Sequence, residues 1–237
     1  MPQRQTIRFQ SDQYELVGTL HRPDTPNPPF VIGCHGLFAD RQSPKQIALA
    51  ETCTQNGIAY LRFDHRGCGQ SQGDFNTVTS LTARCTDLKQ AMQTMQRFPA
   101  TGPCLGLFGS SFGGTVVLAY SARNQVPRLV TFAAPYCDKT IVRKAAHEAN
   151  PRETISSRLA RTLQFDLTPQ LSLVSNILVV HGQDDELVPV DHARYIHART
   201  RQPKKLIIQP RGDHRMSDLD HQRLFQTQFL SWLQHAL

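Results

Sequence analysis

The stretch GLFGSSFGGT, residues 106–115, places two serines side by side between glycines. Its pentapeptide GSSFG fits the pattern G-x-S-x-G, in which the central serine lies on a strained turn between a strand and a helix. Glycines suit such a turn because they leave room where a Cβ atom would clash. The pattern predicts Ser111 as a nucleophile and Ser110 as a packing residue. For the pentapeptide alone, a small-residue turn without chemistry is the alternative.

A serine hydroxyl needs a base and an orienting acid, and after this turn the acid precedes the histidine in the chain. The apolar run NILVVHG is followed by three adjacent acids, Asp184, Asp185 and Glu186, and the run KKLIIQP is followed by His214. Both positions come just after a predicted strand. They predict His214 as the base and one of the three acids as its partner, against the simpler interpretation of His214 as a surface histidine.

A third strand end lies upstream, where FVIGC runs into His35, Gly36 and Leu37. Gly36 lets the backbone approach a ligand closely. The backbone N–H groups of Leu37 and Phe112 are therefore predicted to form an oxyanion hole, which stabilises the negative oxygen of a tetrahedral intermediate. His35 is predicted as a buried, hydrogen-bonded residue that fixes the loop and has no catalytic role.

The elements that must hold these residues alternate between strands and helices. QTIRFQ and YELVGTLH predict two strands that meet at Ser11 and Asp12, and six later apolar runs predict strands buried on both faces. Between them, apolar residues at helical spacing mark one helix face over residues 81–95 and another near the end of the chain, through Leu224, Phe225, Phe229 and Trp232. The pattern predicts an α/β fold with a mostly parallel central sheet and helices on both faces. Residues 1–237 are interpreted as one domain with a short helical lid inserted at about 136–172.

Composition narrows the function classes. The formal net charge is +7, from 26 basic and 19 acidic residues, but the basic residues form no patterned stripe, which argues against nucleic-acid binding. No signal peptide and no apolar run of membrane-spanning length are found, and the six cysteines include no CxxC pair, so we expect reduced thiols in a cytoplasmic protein. Neither a metal-ligand cluster nor a dinucleotide loop is recognised, since the glycines of RGCGQSQG miss the G-x-G-x-x-G spacing.

These pieces together resemble the α/β-hydrolase superfamily, and within it the serine esterases. The similarity is greatest to small bacterial carboxylesterases of the cinnamoyl (feruloyl) esterase kind. The matching segments are HGLFAD, RFDHRGCGQSQGDF, GSSFGG, HGQDDELVP and GDHRMSD, which span residues 33–218. The resemblance implies the α/β-hydrolase fold with its short lid, places the acid at Asp185, and assigns Asp64 and Arg66 to bracing the oxyanion loop. It also implies a small-molecule ester substrate and no metal or organic cofactor.

Several alternatives stay open on the same triad, namely a thioesterase, a C–C bond hydrolase, a serine peptidase or a perhydrolase. A non-catalytic binding protein on a hydrolase scaffold is a further one. The sequence leaves a homodimer open. Basic residues of the lid could attract an acidic substrate or simply form a solvated face; they are Arg143, Lys144, Arg152, Arg158 and Arg161.

Overall fold

The computed structural model describes residues 3–138 and 162–234. Within these ranges the strands are β1 (Gln3–Ser11), β2 (Tyr14–Arg22), β3 (Phe30–Cys34), β4 (Ala59–Phe63), β5 (Cys104–Ser110), β6 (Leu129–Phe132), β7 (Ile177–Gly182) and β8 (Lys204–Gln209). The helices are α1 (Pro44–Gln55), α2 (Phe75–Val78), α3 (Leu81–Arg97), α4 (Phe112–Ser121), α5 (Asp191–Arg199) and α6 (Leu219–Gln234). Each strand predicted from an apolar run is confirmed.

The strands form one sheet in the order β1-β2-β4-β3-β5-β6-β7-β8. β1 and β2 pair antiparallel, β2 pairs antiparallel with β4, and all the later neighbours pair parallel. The register places Cys34 beside Gly109, and Gly182 beside Gln209. The carboxyl ends of β3, β5, β7 and β8 therefore lie along one edge of the sheet, as the sequence predicts for an α/β fold.

Both faces of the sheet are covered. One hydrophobic cluster joins the sheet to α3, α4 and α5, and a second joins it to α1 and α6. Neighbouring strand residues alternate between the two clusters, as Val179 and Val180 of β7 do. This double burial explains why the strands read as continuous apolar runs.

One of the two predicted helix faces is confirmed in full. On α3, the apolar residues of the predicted face are buried or pack against the core; they are Leu81, Cys85, Leu88, Met92 and Met95. On α6, Phe225, Phe229 and Trp232 are buried, but Leu224 is 49% exposed, so its place in the stripe is wrong. Leu233 is also buried, so the buried face of α6 runs through Phe225, Phe229, Trp232 and Leu233, and Leu224 lies outside it.

Most of the predicted lid, residues 139–161 with its basic side chains, lies outside the described residues. The described ends of the insertion form an isolated antiparallel bridge between Cys137 and Asp166, and Leu163, Leu167 and Leu171 are buried. The lid and the single-domain interpretation stay predictions. None of the helices that the structure describes is both long and apolar enough to cross a membrane.

Candidate active site

Ser111 occupies the turn between β5 and α4. Its φ of 54° and ψ of −126° are strained for a residue with a side chain. A Cβ atom at Gly109 would lie 2.2 Å from the carbonyl oxygen of Gly113, and one at Gly113 would lie 2.2 Å from the carbonyl oxygen of Cys34. Only glycine fits at either position, which accounts for the glycines of the pentapeptide.

The two serines of this turn differ in their surroundings. Ser110 is the last residue of β5 and is buried, whereas the side chain of Ser111 is partly exposed at the sheet edge. The backbone N–H of Ser111 donates to the carbonyl of Phe132 on β6, at 2.8 Å. Of the two serines, Ser111 is thus the one that the fold leaves partly accessible.

His214 follows β8 and contacts Ser111 directly. Its Nε2 lies 3.1 Å from Ser111 Oγ, and its Nδ1 lies 2.8 Å and 3.0 Å from the two carboxylate oxygens of Asp185. A carboxylate only accepts hydrogen bonds, so Nδ1 must carry the ring proton and Nε2 is left to accept the Ser111 hydroxyl. The structure brings together the serine, histidine and acid that the sequence singles out.

Asp185 is the buried member of the three acids after β7. Its side chain is fully buried and also accepts the backbone N–H groups of Leu187, at 2.9 Å, and Val188, at 2.7 Å. Asp184 and Glu186 are exposed, and Glu186 accepts the backbone N–H of His214 at 3.1 Å. Of the three acids, Asp185 is the one that orients the imidazole.

A second histidine, His181 on β7, also contacts this carboxylate. Its Nε2 lies 3.2 Å from Asp185 Oδ2 and 2.8 Å from the carbonyl of Val188. Burial raises the pKa of Asp185, but the hydrogen bonds from His181, His214 and the backbone outweigh it, so the pKa is held below its ordinary value. Sequence reasoning missed His181, although a polar residue inside an apolar strand was a signal.

The loop after β3 lies against the serine. A Cβ atom at Gly36 would lie 3.4 Å from Ser111 Cβ and 3.9 Å from Ser111 Oγ, so the backbone of this loop borders the hydroxyl. Leu37 is the next residue. Phe112 is the first residue of α4, where backbone N–H groups have no partner within the helix. The two N–H groups that the sequence proposes for an oxyanion hole belong to the residue after Gly36 and to the residue after Ser111.

His35 holds this loop from within. It is 1% exposed, its Nε2 accepts the backbone N–H of His65 at 3.1 Å, and its Nδ1 lies 2.7 Å from the carbonyl oxygen of Gly36. Because Nε2 accepts, Nδ1 must donate. Burial, together with the charge of Arg84, lowers the pKa of His35, which keeps the ring neutral.

Asp64 contacts the loop after β3 directly, whereas no described hydrogen bond joins Arg66 to it. Asp64 accepts from the backbone and the side chain of Arg41, which lies within this loop. Arg66 is bonded to Asp87, with Nε at 2.8 Å and Nη2 at 2.7 Å. Burial raises the pKa of Asp87, but its hydrogen bonds to His65 and Arg66 outweigh it and lower the pKa to about 2.

A further side chain that contacts the loop directly is Arg84 on α3, which sequence reasoning missed. It is fully buried and donates to the carbonyl oxygens of Gly36, at 3.1 Å, and Leu37, at 2.9 Å. Its position three residues after Leu81 and four before Leu88, beside the apolar face of α3, was the available signal.

Beside the serine lies a small apolar cluster of buried Phe112 and Leu163, against which Leu37, Phe75, Leu81 and Phe165 pack. The rings of Phe112 and Phe165 are 5.6 Å apart. Cys34 is a poor choice of nucleophile, since burial raises the pKa of its thiol far above its ordinary value. Within residues 3–138 and 162–234, no group of histidine, cysteine, aspartate or glutamate side chains could hold a metal ion.

Comparison with known proteins gives the chain a family. The model of Hydrolase_4, described as serine aminopeptidase, S33, matches residues 26–176. The mitochondrial palmitoyl-protein thioesterase ABHD10 of Mus musculus is 25% identical over 84% of this chain and 76% of that protein. The quorum-quenching protein AidA of Acinetobacter baumannii is 29% identical, but the match spans 56% of this chain and 44% of AidA.

Among solved structures, Est1E of Butyrivibrio proteoclasticus with bound ferulic acid has a TM-score of 0.76 and 20% identity, covering 97% of this chain and all of Est1E. At that identity the likeness shows the fold alone. It confirms the fold class that the sequence predicts, with its mostly parallel sheet and helices on both faces.

Proposed function

We propose that this hydrolase cleaves carboxylic esters through an acyl-enzyme intermediate. Two findings support the proposal: the chain belongs to the Hydrolase_4 family (serine aminopeptidase, S33), and it has the α/β-hydrolase fold. The observation that carries the proposal is the continuous hydrogen-bonded chain from Ser111 Oγ through His214 to Asp185, with contacts of 3.1 Å and 2.8 Å. A serine, a base and an orienting acid in this arrangement are the requirements for acyl transfer through a serine.

In the first step, Ser111 Oγ attacks the ester carbonyl carbon while His214 Nε2 takes the hydroxyl proton. The carbonyl oxygen becomes negative and accepts the N–H groups of Leu37 and Phe112. When the tetrahedral intermediate collapses, the C–O bond to the alcohol breaks and His214 gives its proton to the departing oxygen. Water then attacks the acyl-enzyme with His214 as base, which releases the acid and restores Ser111.

Asp185 supports this cycle electrostatically. Its pKa lies below the ordinary range, so the carboxylate is charged at every pH at which His214 can act as a base. Its charge stabilises the imidazolium that forms during each proton transfer, and its position fixes which nitrogen carries the proton. No metal or organic cofactor takes part in the proposed mechanism.

We further propose small or aromatic acyl groups as the preferred substrates. The apolar side chains of Phe112, Leu163 and Phe165 lie beside the serine and suit an apolar acyl group. We also propose a cytoplasmic location, since all six cysteines are free thiols.

The test is hydrolysis of p-nitrophenyl acetate and butyrate by the wild type, Ser111→Ala and Ser110→Ala. We expect Ser111→Ala to lose about 10⁴-fold or more in kcat, and Ser110→Ala, the matched neighbour, to keep most of it. A fluorophosphonate should label the wild type and Ser110→Ala but not Ser111→Ala. Equal turnover by the wild type and Ser111→Ala, or no turnover with no label, would refute the esterase proposal.

A thioesterase is the second candidate, favoured by the similarity to the palmitoyl-protein thioesterase over 84% of the chain. Paired acyl substrates distinguish the two, with butyryl and palmitoyl groups each presented as a p-nitrophenyl ester and as a thioester, alongside methyl hydroxycinnamates. A higher kcat/KM for the short and aromatic oxygen esters supports our proposal. A higher kcat/KM for the palmitoyl thioester would replace it with the thioesterase.

A further inference from the structure

We propose that Arg84 is a positioning residue for the oxyanion hole, which it aligns and polarises through the peptide between Gly36 and Leu37. The inference rests on the proposed function. It assigns a task to a fully buried guanidinium that does not touch the Ser111, His214 or Asp185 side chains through any described hydrogen bond.

The argument begins with the peptide plane. In a trans peptide the C=O and the following N–H point in opposite directions. The C=O of Gly36 is held by Arg84 Nη1 at 3.1 Å, by His35 Nδ1 at 2.7 Å and by the N–H of Ala39 at 3.4 Å. These contacts fix the direction of the Leu37 N–H, which must point away from Arg84.

The next step is the position of this peptide relative to the nucleophile. A Cβ atom at Gly36 would lie 3.9 Å from Ser111 Oγ, so the peptide that Arg84 holds borders the reacting hydroxyl. Arg84 Nη2 also donates to the carbonyl of Leu37 at 2.9 Å, which holds the far side of the same residue. The guanidinium therefore fixes both peptides that flank the Leu37 side chain.

Arg84 also contacts the residue that carries the second proposed donor. Its guanidinium carbon lies 5.2 Å from the centre of the Phe112 ring. One side chain thus touches both Leu37 and Phe112, and its positive charge lies behind the Gly36 carbonyl. A cation at a carbonyl oxygen draws electron density from the peptide and makes its N–H a stronger donor to a negative oxygen.

The energetic cost of this arrangement supports a functional role. Burying a guanidinium is costly in free energy unless its donors are satisfied. The remaining described hydrogen bonds of Arg84 are weak, to Cys68 Sγ at 3.4 Å and to the His35 carbonyl at 3.5 Å, and its Nε has no described hydrogen-bond partner. An apolar side chain would fill this position at lower cost, so the contacts to the oxyanion loop are what Arg84 provides.

The test compares Arg84→Met and Arg84→Lys with Arg22→Met on p-nitrophenyl butyrate. Arg22 is the matched control, because it too donates to a backbone carbonyl, that of Ala100 at 3.1 Å, and lies 5.9 Å from the ring of Phe98, at the opposite edge of the sheet. The charge that the oxyanion hole stabilises exists only in the transition state, so the loss should fall on kcat. We expect kcat of Arg84→Met to fall about 10²-fold with KM within about threefold, as for loss of one oxyanion donor.

Arg84→Lys keeps the charge and can reach one carbonyl, so its kcat should fall about tenfold. Arg22→Met should stay within about threefold of the wild type. An aryl trifluoromethyl ketone, which forms a negative oxygen on reaction with Ser111, should bind Arg84→Met more weakly by the same factor as kcat/KM falls, while a neutral amide analogue binds equally. A merely structural role for Arg84 would not separate these two inhibitors.

All rates are referred to the concentration of folded protein measured by circular dichroism, and Arg84→Lys decides if Arg84→Met does not fold. If the wild type is active and both Arg84 variants keep the wild-type kcat, whether or not their KM changes, the inference is refuted and the proposed function stands. If the wild type shows no hydrolysis that depends on Ser111, the proposed function is refuted, and this inference with it.

Discussion

Replacing Asp185 with asparagine tests whether its carboxylate sets the position of the proton on His214. Asp185 Oδ1 accepts two backbone N–H groups, those of Leu187 at 2.9 Å and Val188 at 2.7 Å. In Asp185→Asn the single amide oxygen should take this place, because an NH₂ group there would face two donors. The NH₂ group then occupies the place of Oδ2, 2.8 Å from His214 Nδ1.

That exchange changes which nitrogen of the His214 ring carries the proton. The NH₂ donor is then nearer to Nδ1 of His214, at 2.8 Å against 3.0 Å for the amide oxygen, so we expect Nδ1 to accept and the ring proton to move to Nε2, which faces Ser111 Oγ. A protonated Nε2 cannot take the serine proton. We expect kcat for p-nitrophenyl butyrate to fall about 10³- to 10⁴-fold, which is a loss of about 4 to 5.5 kcal/mol of transition-state stabilisation.

The matched control is Asp184→Asn, one residue away. Asp184 is exposed, and its loss should cost less than about tenfold in kcat, little more than 1 kcal/mol. Circular dichroism of both variants checks that they are folded. If Asp184→Asn had the strongly reduced kcat and Asp185→Asn a kcat near that of the wild type, the assignment of the acid would be wrong. If both were mildly affected, the orienting acid would lie elsewhere, and Glu186 would be the next residue to change.

Three further predictions concern the turn, a buried ion pair and the core. Gly113→Ala would place a Cβ atom 2.2 Å from the carbonyl of Cys34, where the loop after β3 begins. That loop must then shift, and kcat/KM for p-nitrophenyl butyrate should fall by about 10² or more; an unchanged value would refute this. The pKa of Asp87 is lowered to about 2, so its contribution to stability is complete above about pH 4 and lost as the pH falls towards 2. The free energy of unfolding in urea should decrease by about 2 kcal/mol over that range, and less steeply in Asp87→Asn; equal slopes would contradict it. Phe229→Ala, in the core, should lower the free energy of unfolding by about 3 to 5 kcal/mol in the same urea assay. Leu224→Ala should lower it by under about 0.5 kcal/mol, because Leu224 is 49% exposed; equal losses would mean that Leu224 is buried after all.

The residues that the sequence predicted share a local signal. Ser111 and His214 each follow an apolar run, so hydrophobic patterning alone is enough to infer their strand-end positions. The same patterning predicts the α3 face. It could not fix the centre of the α6 stripe, because neighbouring residues on a helix are only about 100° apart and a broad stripe admits several centres. Leu224 was misplaced for that reason.

The residues that the sequence missed act through backbone atoms or across the sheet. Arg84 binds carbonyl oxygens, and a carbonyl has no residue type by which a pattern could mark it. The role of His181 depends on the loop after β7 folding back, which brings Asp185 over the strand end. Contacts of this kind follow from chain direction in three dimensions, which composition and spacing do not contain.

The hydrogen bond between His214 and Ser111 joins residues 103 positions apart, across the ends of β5 and β8 with two strands between them. Closing so long a loop is slow, because its entropy cost is offset by parallel strand pairing only once the intervening strands are in place. Refolding from denaturant should therefore restore helical circular dichroism before it restores turnover. In such an experiment, the time at which turnover recovers would report when the ends of β5 and β8 come together.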